Sequence, residues 1–410
     1  MSYSLNSAVT GIEEPPIAEA HGWIEGIRFP DERPLIDLAQ AAPGYPPEEG
    51  LRAHLAEAVM RPETSRYTDI EGLPALRQLL ADDIRTIYGG DAAAGDLLIA
   101  AGCNQAFFLT AMTLARPGDA LMLAEPWYFN HRMTLDMLGI GVQGLPCHAA
   151  NDFIPDPAEA ERLLTPRTKA ILLISPNNPT GAIYPEAVLR GFAELAARRG
   201  IALILDETYR DFLDPAIARP HGLFADPGWR EHFIQLYSFS KVYSVTGYRV
   251  GAVAASPGTI AEIAKVMDSL AICAPRVGQL AAIYGLEHLG QWRAANRNLM
   301  AGRVAGFAGA IGGSNSGFSI DSIGAYFAFL RHPFELSSAE LAPLLAREAG
   351  LLTLPDTMFG GAGTHLRVAF ANVDVALMPE VARRLAHFSR NNLMARQDQP
   401  MLVGTAPSSP

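Results

Sequence analysis

Phe233-Ile234-Gln235-Leu236-Tyr237-Ser238-Phe239-Ser240-Lys241 runs from an apolar stretch into a polar turn that ends on a lysine, and Arg249 follows eight residues later. The apolar part reads as a buried strand, and a loop leaving such a strand can hold an amine partly desolvated or beside other cations. Under those conditions a lysine reacts as a neutral nucleophile. Taken alone, the same residues also suit a surface loop, so the meaning of Lys241 depends on what surrounds it.

Outward from this stretch, apolar runs recur at 97–101, 120–124, 142–145, 170–174, 201–205 and 250–254. Helical patterns fill the intervals, for example 104–115, 185–199 and 257–269, and proline stands near the start of the latter two. Continuous apolar strands separated by helices predict an α/β unit with a mostly parallel, mixed seven-stranded sheet covered on both faces. Ligands collect at the carboxyl ends of the strands in such sheets. A second, smaller α+β unit is expected after the long helical stretch at 291–310, with strand, helix, strand, helix at 325–330, 338–348, 365–370 and 375–389. The predicted organisation is an irregular N-terminal segment at 1–50 packing on the small unit, a large domain at 51–300, a small domain at 301–395 and a disordered tail at 396–410.

Composition narrows the function. A chain of 410 residues exceeds what one core needs. A net charge of −11 without any Lys/Arg run argues against nucleic acid, whose phosphates require a concentrated basic face. Cys103, Cys147 and Cys273 are the three cysteines, too few and too scattered for a disulfide framework or a zinc site, so no metal is expected and a cytoplasmic location is the simplest. The N-terminus lacks a basic and apolar leader, and no apolar run approaches the roughly 20 residues of a membrane span.

Several polar groups fall at the predicted strand ends. Asp206 closes Ile201-Ala202-Leu203-Ile204-Leu205, where a carboxylate is costly unless a cation meets it. One such cation is a protonated ring nitrogen of a heteroaromatic cofactor, and Tyr209 reaches the same ligand if the segment turns helically. Ser175-Pro176-Asn177-Asn178-Pro179-Thr180-Gly181 cannot be regular with two prolines and a glycine, and such a rigid loop presents one polar side chain, here Asn178. Gly102-Cys103-Asn104 opens a helix after a strand, an anion site made from backbone N–H groups. Together with the Ser238 hydroxyl and the Arg249 guanidinium it supplies the donors a phosphate monoester requires.

These motifs, with Gly247-Tyr248-Arg249-Val250-Gly251 and Arg367, resemble the class I/II aminotransferases, fold-type I pyridoxal-phosphate enzymes, and the resemblance extends from Tyr67 to Arg367. It implies pyridoxal 5'-phosphate as cofactor, with Lys241 as the Schiff-base lysine, Asp206 on the pyridine nitrogen, and Asn178 and Tyr209 on the phenolic oxygen. Tyr128 matches the aromatic that stacks on the ring, with Trp127 beside it as a substitute and a substrate contact. Ser238, Arg249 and the amides of Cys103 and Asn104 would bind the phosphate. Tyr67 matches a tyrosine that reaches a neighbouring subunit's phosphate, which implies a homodimer, and Arg367 matches the arginine that forks onto a substrate carboxylate. Ala41 lies in Leu38-Ala39-Gln40-Ala41-Ala42-Pro43, which has alanine where the family often places a glycine near the substrate.

The implied activity is transfer of an amino group from an L-amino acid to a 2-oxo acid by a ping-pong mechanism. A lyase or synthase of the same fold, of the cysteine-conjugate β-lyase or aminocyclopropane-carboxylate synthase type, shares every residue named. A non-catalytic ligand-binding domain of a transcription regulator would need an appended DNA-binding unit, for which the acidic N-terminal segment is too short. Asn104, uncharged where some relatives carry a lysine, and the aromatics Trp127, Tyr128, Tyr326 and Phe327 favour neutral or aromatic substrates.

Overall fold

The computed structural model describes residues 3–397. Seven strands form the main sheet: β1 (Leu97–Ala100), β2 (Ala120–Glu125), β3 (Gly141–Pro146), β4 (Thr168–Ile174), β5 (Ala202–Asp206), β6 (Phe233–Ser238) and β7 (Gly251–Ala254). Their order is β1-β7-β6-β5-β4-β2-β3, and β7 alone runs against the others. All of β6 is buried, as a strand covered on both faces must be. The helices Cys103–Leu114, Glu186–Arg199 and Pro257–Ala271 cover the sheet within two residues of their expected bounds. Parallel pairing aligns the carboxyl ends of β2, β4, β5 and β6 on one edge, which is what gathers their following loops.

The long helix Gly290–Gly312 leads to a four-stranded antiparallel sheet ordered Leu354–Pro355, His365–Ala369, Phe327–Arg331 and Ser319–Gly324. Its core includes Phe307, Tyr326, Leu330 and Leu366, each 1% exposed or less. The strand Ser319–Gly324 adds to the expected strands; its alternation Ser-Ile-Asp-Ser-Ile-Gly is mostly polar. Between Ser338 and Gly350 the expected single helix is an α-helix, Ser338–Leu344, that relaxes into a wider turn at Leu345–Ala349. The last helix, Met378–Gln397, takes in the first two residues of the expected tail, and residues 398–410 lie outside the described part.

The N-terminal segment is more structured than its prolines suggested. Ile36–Asp37 pairs in parallel with Leu351–Leu352, and the helix Pro16–Gly22 packs beside Leu354–Pro355, both on the small unit. The first helix, Ser7–Thr10, instead packs against Phe129–Leu138 of the large one. The segment therefore bridges the two units as an arm across the strand ends. No helix among the described residues is long and apolar enough to cross a membrane.

Candidate active site

A cavity of about 190 Å³ opens at the carboxyl edge of the sheet, where side chains from five strand ends meet the arm and the small unit. Lys241 lies in the one-turn helix Phe239–Val242, which begins because the Ser238 hydroxyl accepts a hydrogen bond from the Ser240 N–H at 3.2 Å. Its amine donates to the Ala41 carbonyl at 2.6 Å, so the arm closes over it. Burial, with Arg249 and Arg367 nearby, pushes the Lys241 amine down to about 8.

Asp206 is 4% exposed at the end of β5 and faces the cavity. Its Oδ1 accepts from the Thr208 N–H at 2.9 Å and the Thr208 hydroxyl at 2.7 Å, and its Oδ2 lies 3.4 Å from His131 Nε2. Burial works to raise this carboxyl, but His131 and Thr208 outweigh it and hold Asp206 below the usual carboxylate range. The group is thus an anion in the floor of the cavity. Cys103 borders it as a buried thiol that burial and then Asp206 keep protonated.

Asn178 is free to face the cavity because its neighbour Asn177 locks the loop. Asn177 Oδ1 accepts from Thr180 N–H at 3.0 Å and Thr180 Oγ at 2.8 Å, while its Nδ2 donates to Tyr184 at 3.0 Å. Gly181 then turns at φ +79°, and a Cβ there would stand 2.4 Å from the Phe327 carbonyl, so glycine lets the loop dock on the small unit. Arg367, 1% exposed on strand His365–Ala369, donates to the Ala39 carbonyl and lies 3.5 Å from Asn178 Oδ1, while its Nε has no partner. Burial pushes it down to about 10, which leaves it charged at neutral pH.

At the mouth, Arg249 donates to the carbonyls of Thr246 at 2.9 Å and Ala101 at 3.3 Å. Its guanidinium crosses Gly102 so closely that a Cβ there would sit 2.3 Å from Nη2. Gly102, at φ +87°, immediately precedes the helix Cys103–Leu114, so this cation and the first amides of the helix lie together at one corner. Among the charged residues that line the cavity, Lys241, Arg249 and Arg367 face a single anion, Asp206. Such a cavity suits a ligand with more than one negative group.

Not every expected residue lines it. Tyr128 does, but Trp127 does not: consecutive residues at the turn into helix Phe129–Leu138 point apart, and the indole packs on Gly360 and under Arg132 in a neighbouring cavity. Tyr326 and Phe327 are fully buried and do not line the cavity; they pack against Tyr209 with ring centroids 5.1 Å away. Tyr67 is 72% exposed and lies outside the cavity. Conversely, the cavity includes Ile17, Gln40, Phe129 and Thr246, and His131 stands behind Asp206, none of which the motifs indicated.

The chain matches the family model of aminotransferase class I and II over residues 33–385. It is 28% identical to an aromatic aminotransferase of Arabidopsis thaliana, covering 93% of this chain and 95% of that one. A probable aspartate/prephenate aminotransferase of Thermus aquaticus is 26% identical over 85% and 90% of the two chains. Among solved structures, the aspartate aminotransferase of Thermus thermophilus with maleate superposes with a TM-score of 0.85, covering 94% of this chain and 99% of that one at 24% identity, a likeness of fold.

Proposed function

The chain belongs to the class I and II aminotransferases, and from that premise we propose that it moves the amino group of a neutral or aromatic L-amino acid to a 2-oxo acid with pyridoxal 5'-phosphate held in the cavity. The observation that carries this is Lys241: a buried amine with a pKa of about 8, flanked by Arg249 and Arg367 and sharing its cavity with the Asp206 carboxylate. The residues present fit the cofactor. Arg367 Nε and Ser240 Oγ are buried without a partner, and the Arg249 corner is a cradle that a Cβ on residue 102 would fill.

In this reading Arg249, Ser238 and the amides of Cys103 and Asn104 would hold the phosphate. Asp206 would face the ring nitrogen, Asn178 and Tyr209 the phenolic oxygen, and Tyr128 the ring face. Lys241 would be the point of covalent attachment. When bound, the cofactor supplies an electron sink that makes loss of the substrate Cα proton tolerable.

The chain's own part is to bind, orient and move that proton. Arg367 forks onto the substrate carboxylate, giving up the Ala39 carbonyl, and so fixes Cα near Lys241. The Lys241 amine, pushed down to about 8, would be neutral often enough near that pH to take the substrate Cα proton and return it from the same side. Asp206 stays ionised because His131 and Thr208 stabilise its charge, and the arm at Ala41 limits water. Product release between two half-reactions gives ping-pong kinetics. The exposure of Tyr67 supports its reaching a second subunit in a homodimer.

Neutral or aromatic substrates are favoured because Arg249 and Arg367 are taken by the phosphate and the substrate carboxylate and Lys241 by the attachment, and the lining beyond them, with Ile17, Gln40, Ala41, Phe129 and Thr246, adds no further cation. A panel of amino acids mixed with the holoenzyme, followed by conversion to the aminated cofactor, tests this directly. Neutral and aromatic donors should lead in kcat/KM. Aspartate or glutamate in first place would overturn the substrate class, and release of pyruvate and ammonia without an acceptor would mark a lyase of the same fold instead.

A further inference from the structure

Behind Phe129 lies a second cavity, of about 360 Å³, which Trp127 and Met133 wall on one side and Ile12 and Pro16 of the arm on another. Phe129 lines both this annex and the reaction chamber. On the arm, Pro16 faces the annex and the next residue, Ile17, faces the chamber. Phe129 and the Pro16-Ile17 corner of the arm therefore stand at the boundary of the two spaces.

That ring is well supported. Phe129 is 8% exposed, with Tyr128 at 4.8 Å and Phe359 at 5.4 Å between ring centroids. Phe359 in turn lies 5.3 Å from the Arg367 guanidinium, so the partition stands one ring away from the carboxylate anchor. The annex wall is mixed: beside Phe129, its apolar members are Ile12, Pro16, Trp127, Met133 and Met358. Its cation, Arg132, is held by Asp136 at 2.7 Å and lies 5.3 Å over the Trp127 ring, and Glu13 and Glu14 stand on its exposed side.

We propose that Phe129 is the specificity-determining residue for amino-donor length: its ring ends the side-chain subsite, and the annex beyond is built to receive the apolar end of a longer side chain once the ring is removed. The inference rests on the transaminase reading above, with the substrate carboxylate on Arg367. Its energetic basis is simple. One methylene that fits or clashes in an apolar subsite changes kcat/KM by roughly 10–200-fold, and a ring that cannot retreat makes the clash.

The test is a donor series of alanine, phenylalanine and homophenylalanine with the holoenzyme. Wild type should use homophenylalanine at least about tenfold less well than phenylalanine by kcat/KM, and Phe129→Ala should raise the homophenylalanine-to-alanine ratio by about tenfold or more. Phe129→Leu, a milder change to the fold, should move the ratio the same way by less. Met133→Trp fills the annex alone, so it should leave the wild-type ratio unchanged and cancel the gain when combined with Phe129→Ala. A uniform loss on all donors, an unmoved ratio in both Phe129 variants, or a gain that survives Met133→Trp would overturn the partition. Those results leave the transaminase reading standing, whereas a wild type that aminates its cofactor from none of the donors overturns both.

Discussion

The residues at 206–211 serve two buried polar clusters that differ in one respect: one is nearly saturated and the other is not. On the far side of the segment, Glu207 accepts from Tyr88 at 2.9 Å and from Gln235, with His221 at 3.2 Å. Arg293 bridges Asp83 at 2.9 Å and Asp211 at 2.7 Å, and Arg210 binds Asp83 while lying 3.8 Å over the Tyr237 ring, with its Nε left 3.8 Å from Asp211 and without a hydrogen bond. On the near side, Lys241 holds one carbonyl, Arg367 keeps an unpartnered Nε, Ser240 Oγ and His131 Nδ1 have no partner, and His131 Nε2 has only the 3.4 Å approach to Asp206. Buried groups left in that state forgo about 1–3 kcal/mol each. A protein keeps such a deficit where a ligand is to fill it, and fills it internally where the role is to hold the fold.

The largest effect expected from breaking this contrast is on the near side. Lys241→Ala should lower transamination by more than about 10⁴-fold, since in the proposed reading it removes both the attachment point and the proton carrier. Single-turnover measurement with a good donor checks it, and substantial turnover by the variant would sink the assignment. On the far side the loss should appear in stability instead. Arg210→Met strips one partner from Asp83 and Asp211, and breaking a buried pair in this way costs about 3–5 kcal/mol in urea unfolding. The folded fraction should keep its kcat within about twofold. A large fall in kcat without a fall in stability would erase the distinction between the two clusters.

The sequence revealed one cluster better than the other, for physical reasons. Asp206 was legible because it closes a fully apolar strand, and Asn178, Lys241 and Arg249 because they fall in polar loops next to such strands, whose ends parallel pairing brings together. Gly102 was legible as the turn between a strand and the start of a helix. The choice between Trp127 and Tyr128 was not, since adjacent residues at a strand-to-helix turn diverge and both are aromatic. Ile17 and Gln40 arrive on an arm whose position depends on contacts with strands over 300 residues away in the chain. His131 sits on a helix among Phe129, Thr134 and Leu135, and a buried histidine there looks like ordinary core.

A third test uses pH and the apoprotein. Burial and two guanidinium groups lower the Lys241 amine from 10.5 to about 8, so between those values the folded chain binds fewer protons than the unfolded one. The penalty on folding is full below pH 8 and fades as pH rises toward 10.5. Lys241→Met removes the penalty, so the variant apoprotein should melt at a higher temperature than wild type at pH 7, and the gap should close across that window. An equal gap at pH 7 and pH 10.5 would mean that packing, not charge, causes it.

The smallest effect concerns His131, the residue that joins the unsaturated chamber to the core behind it. Its ring packs on Phe107 at 4.2 Å and edge-on to Tyr128 at 5.1 Å, and its Nε2 faces Asp206 Oδ2 at 3.4 Å. A hydrogen bond to a charged group contributes about 1.5–3 kcal/mol, so His131→Leu should lower kcat/KM by about tenfold or somewhat more. A merely structural role predicts only a lower Tm. The positioning role also predicts a pH signature: without His131 the Asp206 carboxyl rises, because burial then acts against its charge with Thr208 alone opposing it. The acid limb of the kcat/KM profile should therefore move to higher pH in His131→Leu and return most of the way in His131→Gln, which can still donate to the carboxylate. If both variants lose activity equally with no movement of the acid limb, then Thr208 alone sets the charge of Asp206, and the unsaturated cluster ends at the strand.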